Sequence, residues 1–155
     1  MTADVDLNLT QTDFSAYCRA LACAIVLTHD GKILLQQRPA DGLHDVPYIG
    51  LFGGGHEDGE TLPQALCREL NEELGAVLVP SEAELLFADV SQHKGQQLEQ
   101  LITVFFWHDV NNTISGCYEH APITFDSAHD ALADTRLSAS PRRGLEECLR
   151  RGLIS

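Results

Sequence analysis

Apolar positions follow two rhythms along this chain. Residues 21–27 (LACAIVL) are an unbroken apolar run, and residues 33–35 (ILL) follow across Thr28-His29-Asp30-Gly31-Lys32. Two such runs around an Asp-Gly turn predict a β-hairpin. Over residues 61–74 the rhythm changes: Leu62, Leu66, Leu70 and Leu74 recur every four positions, which lays an apolar stripe along a helix. Thr61 and Gln64 have capping-box spacing, Pro63 lies in the tolerant first turn, and Gly75 stands where a C-terminal cap belongs. Residues 85–90 and 101–107 (LITVFFW) read as strands, the second rich in β-branched and aromatic residues.

Residues 123–125 make a short strand, and Ser127 with Asp130 caps a short helix. A last helix is predicted over residues 141–151, with Leu145, Cys148 and Leu149 facing inward. Its Arg142, Arg143, Arg150 and Arg151 read as a solvated face. Phe105 and Trp107 alternate with Phe106, so one strand face is expected in the core and the other toward a pocket. Residues 38–55, rich in proline and glycine, read as a long functional loop. Residues 1–17 read as a polar leader. Strands and helices mix without regular βαβ alternation, which places the chain in the α/β (α+β) class, a mixed β-sheet flanked by helices. Its 155 residues suit one domain, 1–155.

Charge narrows the function. Ten Lys and Arg against 23 Asp and Glu leave a net charge of −13, which argues against binding a nucleic-acid polymer. No run reaches the ~18 apolar residues of a membrane span, and the acidic, polar N-terminus resembles neither a signal nor a transit peptide. Cys18, Cys23, Cys67, Cys117 and Cys148 are odd in number and lack C-x-x-C spacing, as expected of free thiols in a reducing, cytoplasmic setting.

The acids concentrate in one place. Glu57, Asp58, Glu60, Glu69, Glu72 and Glu73 lie within residues 57–73, where Arg68 is the single base. On the predicted helix Glu69, Glu72 and Glu73 stand at i, i+3 and i+4, so their carboxylates project from one side next to the leucine stripe. Crowded carboxylates repel one another, and such a cluster suits a hard divalent cation such as Mg²⁺ or Mn²⁺. A glycine-rich loop, Gly53-Gly54-Gly55, precedes the helix and brings backbone close to a ligand. There is no H-E-x-x-H zinc motif, no Gly-Lys-Ser/Thr of a P-loop and no EF-hand loop.

Gly54, five residues, Glu60, seven residues, then Arg68-Glu69-Leu70-Asn71-Glu72-Glu73-Leu74-Gly75 resembles the Nudix box, G-x5-E-x7-R-E-U-x-E-E-x-G-U. Every fixed letter is present, and the final bulky aliphatic is reduced to Ala76. The resemblance implies a Nudix-type α/β/α sandwich and hydrolysis of a pyrophosphate bond in a nucleoside diphosphate derivative, with Mg²⁺ or Mn²⁺. It implies Glu72 and Glu73 as the principal metal ligands and Glu69 as a further ligand or the base. The Gly54 carbonyl would be a backbone ligand, with Glu60 and Arg68 fixing the loop. In this family the base sometimes lies on a later loop, where Glu119 is the best candidate and Glu99 a weaker one.

Arg38 is a candidate phosphate contact, and Tyr48 and Phe52 are candidates to stack on a base. Subfamily marks are missing: no second arginine follows Arg38 through residue 50, and Ser91, Gln92 and His93 stand where ADP-ribose and diadenosine polyphosphate enzymes carry a proline or tyrosine. The S-Q-P-W-P-F motif of the NADH type is absent, and Phe52-Gly53-Gly54 replaces the usual Pro-Gly-Gly. A nucleoside triphosphate or nucleotide sugar is favoured by elimination. The partner expected is thus a small nucleotide, with neither nucleic acid nor membrane, and a homodimer is left open. The alternative is a non-hydrolytic nucleotide-sensing or interaction domain on the same fold.

Overall fold

The computed structural model describes residues 2–4, 7–41 and 44–155. Its mixed sheet comprises β1 (Thr2–Asp4), β2 (Arg19–Leu27), β3 (Ile33–Arg38), β4 (Tyr48–Gly50), β5 (Phe52–Gly55), β6 (Glu84–Gln92), β7 (Glu99–His108) and β8 (Ala121–Phe125). The helices are α1 (Leu62–Leu74), α2 (Ala128–Ala133) and α3 (Ala139–Arg150), with a 3-10 turn at Pro80–Glu82. The strand order is β1-β6-β7-β2-β3-β4, with β5 beside β2 and β8 beside β3. β2 and β7 run parallel from Arg19↔Gln100 to Leu27↔His108; the other pairs are antiparallel.

Alternation along β2 sorts the core into two layers. Ala20, Ala22, Ala24 and Val26 face α1, where Leu62, Leu66, Leu70 and Leu74 are buried. Burial of each leucine contributes about 2 kcal/mol. Ile25, with Val104 and Phe106 of β7, faces α2 and α3 through Ala128, Ala131, Leu145 and Cys148. The expected sandwich of helices on both sheet faces is therefore present.

The caps of α1 are those the sequence predicts. The Gln64 N–H donates to Thr61 Oγ1 at 3.2 Å, the Thr61 N–H donates to Gln64 Oε1 at 2.8 Å, and Gly75 ends the helix at φ 66°. Ser127 likewise caps α2, accepting from the Asp130 N–H.

Four expectations need correction. Residues 38–55 are no single loop, because β4 and β5 lie within them; their glycines hide the strand pattern, while β3 and β2 supply the ladder bonds. Both faces of β7 are covered, so Phe105, Phe106 and Trp107 are all core residues. In α3 Leu145 and Cys148 point inward, but Leu149 is 39% exposed. The arginines are more than a solvated face: Arg150 and Arg151 are exposed and Arg142 and Arg143 half-buried, but all four have partners. Arg143 donates to Asp89 at 2.6 Å and lies over the Phe87 ring. Arg142 donates to the Leu132 carbonyl, and Arg151 to those of Leu85 and Leu86. Arg150 and Arg151 also pair with Glu147.

In the N-terminal leader β1 pairs with β6 and Phe14 is buried; residues 1, 5 and 6 lie outside the described residues. The five cysteines are free thiols. No helix among the described residues is long and apolar enough to cross a membrane.

The sheet divides where the site lies. β3 meets β2 only at Val26↔Leu34 and Leu27↔Ile33. Beyond that point β3 pairs with β4, while β2 pairs with β5 from Leu21↔Gly55 to Ala24↔Phe52. The two branches frame a cavity.

Candidate active site

Arg68 organises the segment between the glycine strand and α1. Its guanidinium donates to Glu60 Oε1 at 2.7 Å and Oε2 at 3.2 Å, to the Gly55 carbonyl at 2.7 Å, and to Glu69 Oε1 at 2.9 Å. These charge-assisted bonds join β5, the following turn and α1. Hydrogen bonding to Arg68 holds the Glu60 carboxyl below its ordinary range, and the same bond raises the guanidinium. His56 Nε2 donates to the Glu60 carbonyl at 2.5 Å, and its ring packs edge-on against buried Phe14 at 4.7 Å.

Two glycines permit the close approach of backbone to carboxylate. Gly53 has φ +131°, and a Cβ there would stand 2.2 Å from the Ala22 carbonyl oxygen. A Cβ at Gly54 would stand 2.7 Å from the Glu69 carboxyl carbon. The Gly53 N–H donates to Glu73 Oε2 at 2.8 Å.

The loop after β7 brings in the third carboxylate. Buried Asp109 accepts from the Thr113 N–H at 2.8 Å, the Thr113 hydroxyl at 2.9 Å and the Ile114 N–H at 3.0 Å, which shapes the turn. The Ser115 N–H then donates to the Leu74 carbonyl at 2.9 Å, and the Tyr118 N–H to that of Glu73 at 2.8 Å. The loop thus satisfies carbonyls that the end of α1 leaves open. Glu119 follows, and its carboxyl neighbours that of Glu73. Burial, with the neighbouring Glu119 carboxyl, pushes Glu73 far above the ordinary carboxylate range. Burial also raises Glu69.

A cavity of about 710 Å³ joins these groups to the fork in the sheet. Gly54, Glu69, Glu73 and Glu119 line one part of it, and Arg38 and Tyr48 another. Tyr48 stacks on His44 at 3.7 Å, and its hydroxyl donates to Asp41 at 2.9 Å. Glu60 and Arg68 do not line it.

Three candidates stand apart. Glu72 is 58% exposed, 3.6 Å from Arg68, and does not line the cavity. Glu99 is exposed at the start of β7. Phe52 is fully buried in the α1-facing core, so the expectation that it stacks on a base is corrected; its alternation on β5 points it away from the cavity. The sequence reading also missed Arg19, His93 and Gln100, which line the cavity. Their one signal was polarity at the ends of apolar strands.

Comparison with known proteins places this arrangement. The family model for the NUDIX domain matches residues 17–148. The chain belongs to the Nudix family. Among its Nudix relatives, the CTP pyrophosphohydrolase of Escherichia coli (strain K12) is 36% identical over 112 residues, 70% of this chain and 76% of that protein. The solution structure of the E. coli ORF135 protein is 28% identical and superposes with a TM-score of 0.62, covering 89% of this chain and 94% of that one. The MutT protein of Methanosarcina mazei Go1 is 21% identical with a TM-score of 0.66, covering 86% and 94%; at that identity it shows the fold.

The Nudix box here offers oxygen donors suited to a hard cation. Cys23 also lines the cavity, and burial pushes its thiol up to about 12. Among the described residues no three carboxylate, imidazole or thiol groups already converge on a metal position. The donor types fit Mg²⁺ or Mn²⁺, and the crowding of Glu69, Glu73 and Glu119 on one cavity is a concentration of negative charge that a cation would relieve.

Proposed function

We propose that this Nudix pyrophosphohydrolase cleaves a pyrophosphate bond in a nucleoside triphosphate, with a nucleotide sugar as the second substrate class. One observation carries the reading: a single cavity is lined by Glu69, Glu73 and Glu119 together with Arg38 and Tyr48. The acidic part suits a cation-bound diphosphate, and the rest suits the remainder of a nucleotide. The sequence likeness to a CTP pyrophosphohydrolase supports a triphosphate.

Glu69, Glu73 and the Gly54 carbonyl would hold Mg²⁺ or Mn²⁺, with Glu72 joining from the solvent side. When bound, the cation neutralises phosphate charge and lowers the pKa of water. Arg68 keeps Glu69 in place by its bond to Oε1. Among the described residues Glu119 has no arginine partner, and we assign it the proton of the attacking water. Water adds to a phosphorus of the diphosphate, and the bond from that phosphorus to the bridging oxygen breaks. Two phosphate-containing products leave. Arg38 would steady the departing or retained phosphate, and Tyr48 with His44 would wall the nucleotide.

The test is a panel of nucleoside triphosphates, nucleotide sugars, ADP-ribose and dinucleoside polyphosphates, assayed with Mg²⁺ and with chelator. Turnover of triphosphates that chelator abolishes is expected, and folded Glu73→Gln should be inactive. Turnover that persists in chelator would sink the metal assignment. Silence across the panel would favour the nucleotide-sensing alternative.

A further inference from the structure

Part of the cavity wall lies away from the carboxylates. Ser91, Gln100 and Arg19 stand in one lateral row across β6, β7 and β2, since Ser91 pairs with Gln100 and Gln100 with Arg19. Their side chains are bonded in the same order. Gln100 Nε2 donates to Ser91 Oγ at 3.0 Å, and Arg19 Nε donates to Gln100 Oε1 at 2.7 Å. Arginine has no acceptor, so the amide oxygen of Gln100 must face it. Gln100 is 7% exposed, and a polar side chain buried this far is retained only when its bonds are met. The row therefore fixes the guanidinium by its Nε edge. Nη1 and Nη2 remain as a parallel donor pair with no partner among the described residues.

Next to this row lies an apolar bed. Leu21 and Ile102, also register partners, line the cavity two residues further along the same strands. His93 lines it as well, and its Nδ1 is buried without a hydrogen-bond partner, an unmet group that a ligand would satisfy. Gly54 pairs with Ala22 and Ala22 with Thr103, so Gly54 lies two strands across and three residues along from Gln100. At about 3.3 Å per residue and about 4.8 Å per strand this is roughly 14 Å. A nucleotide with its diphosphate at Gly54 would bring its base near the row.

Resting on the nucleotide reading above, we propose that Arg19, held by Gln100, reads the base and selects an edge with two adjacent acceptors. Cytosine offers O2 and N3, and guanine offers O6 and N7, both matched to the two terminal nitrogens of a guanidinium. On the Watson–Crick and Hoogsteen edges of adenine, and on the Watson–Crick edge of uracil, a donor stands beside each acceptor, which opposes one N–H with another. Leu21 and Ile102 carry the ring face, and His93 meets a further polar atom.

The experiment titrates CMP, GMP, AMP and UMP into wild type, Arg19→Ala, Arg19→Lys and Gln100→Leu in Mg²⁺ buffer, by calorimetry or NMR. Monophosphates have no pyrophosphate bond, so binding is read apart from turnover. CMP, GMP or both should bind about tenfold tighter than AMP and UMP. Arg19→Ala should bring all four within about threefold of one another. Arg19→Lys keeps the charge without the paired donors and should also lose the preference, whereas Gln100→Leu should weaken it in part. Melting curves identify variants that fold. A wild type without preference, or an Arg19→Ala that weakens all four equally or none, overturns the proposal. Absence of triphosphate turnover in a wild type that still prefers CMP or GMP would overturn the hydrolase reading alone.

Discussion

The Tyr118 N–H donates to the Glu73 carbonyl at 2.8 Å, so the loop that carries Glu119 is bonded to the backbone of the residue whose carboxyl shares its cavity. The carboxylate pair is therefore set by main-chain geometry, upstream of any ion. Asp109 shapes that loop through three accepted bonds. Asp109→Ala leaves those donors unmet and is expected to cost about 2 kcal/mol of stability. Denaturant melts measure the loss, and turnover should fall with it as Glu119 leaves its place. Unchanged stability and rate would show that the loop holds itself.

Glu119→Gln and Glu69→Gln separate the two candidates for the base. Removal of a general base slows turnover by about 10² to 10⁴. Glu119→Gln should show that loss with little change in KM, because its carboxylate is assigned to proton transfer. A near-wild-type rate would transfer the role to Glu69.

The metal-free protein should lose stability as pH rises. Glu73 titrates in the folded state well above its value in the unfolded chain. The native state therefore binds the extra proton between those two values, and stability falls across that interval. Melting temperatures from about pH 5 to 8 should decline in chelator, and Glu73→Gln should flatten the slope. Glu60 has the opposite sign: its lowered value gives stability present above the unfolded value and lost as pH falls through the folded one. A wild-type melting temperature that climbs over the same range would contradict the raised titration of buried Glu73.

Gly53 and Gly54 are adjacent but should fail differently. At Gly53 a Cβ meets immovable backbone of β2 and the residue sits at φ +131°, so Gly53→Ala should cost about 3 kcal/mol or more. At Gly54 the Cβ meets only the Glu69 carboxyl. Gly54→Ala should melt near the wild type while turnover drops at least about tenfold, the range for a displaced catalytic group. Paired melting and rate measurements decide it.

Elements with a period were legible without coordinates. The leucines of α1, the cap at Thr61 and the Asp-Gly hairpin each depend on neighbours within a few positions, and all are present in the fold. β4 and β5 were not legible, because Gly50 and Gly53-Gly54-Gly55 carry no β-propensity and become strands only through partners on β3 and β2. Phe52 was assigned to the nucleotide because strand phase within a glycine run cannot be read locally.

What the sequence determined alone is the box: the spacing from Gly54 through Glu60 to Gly75, and the three carboxylates that helical geometry sends to one side. Those relationships are short-range and set by covalent spacing and a 3.6-residue turn. Only the tertiary structure divided the carboxylates, burying Glu73 beside Glu119 while leaving Glu72 beside Arg68 in solvent. It alone also set Arg19 against Gln100, because the parallel pairing of β2 with β7 joins positions 81 residues apart. Pairing at that separation depends on how the whole sheet closes.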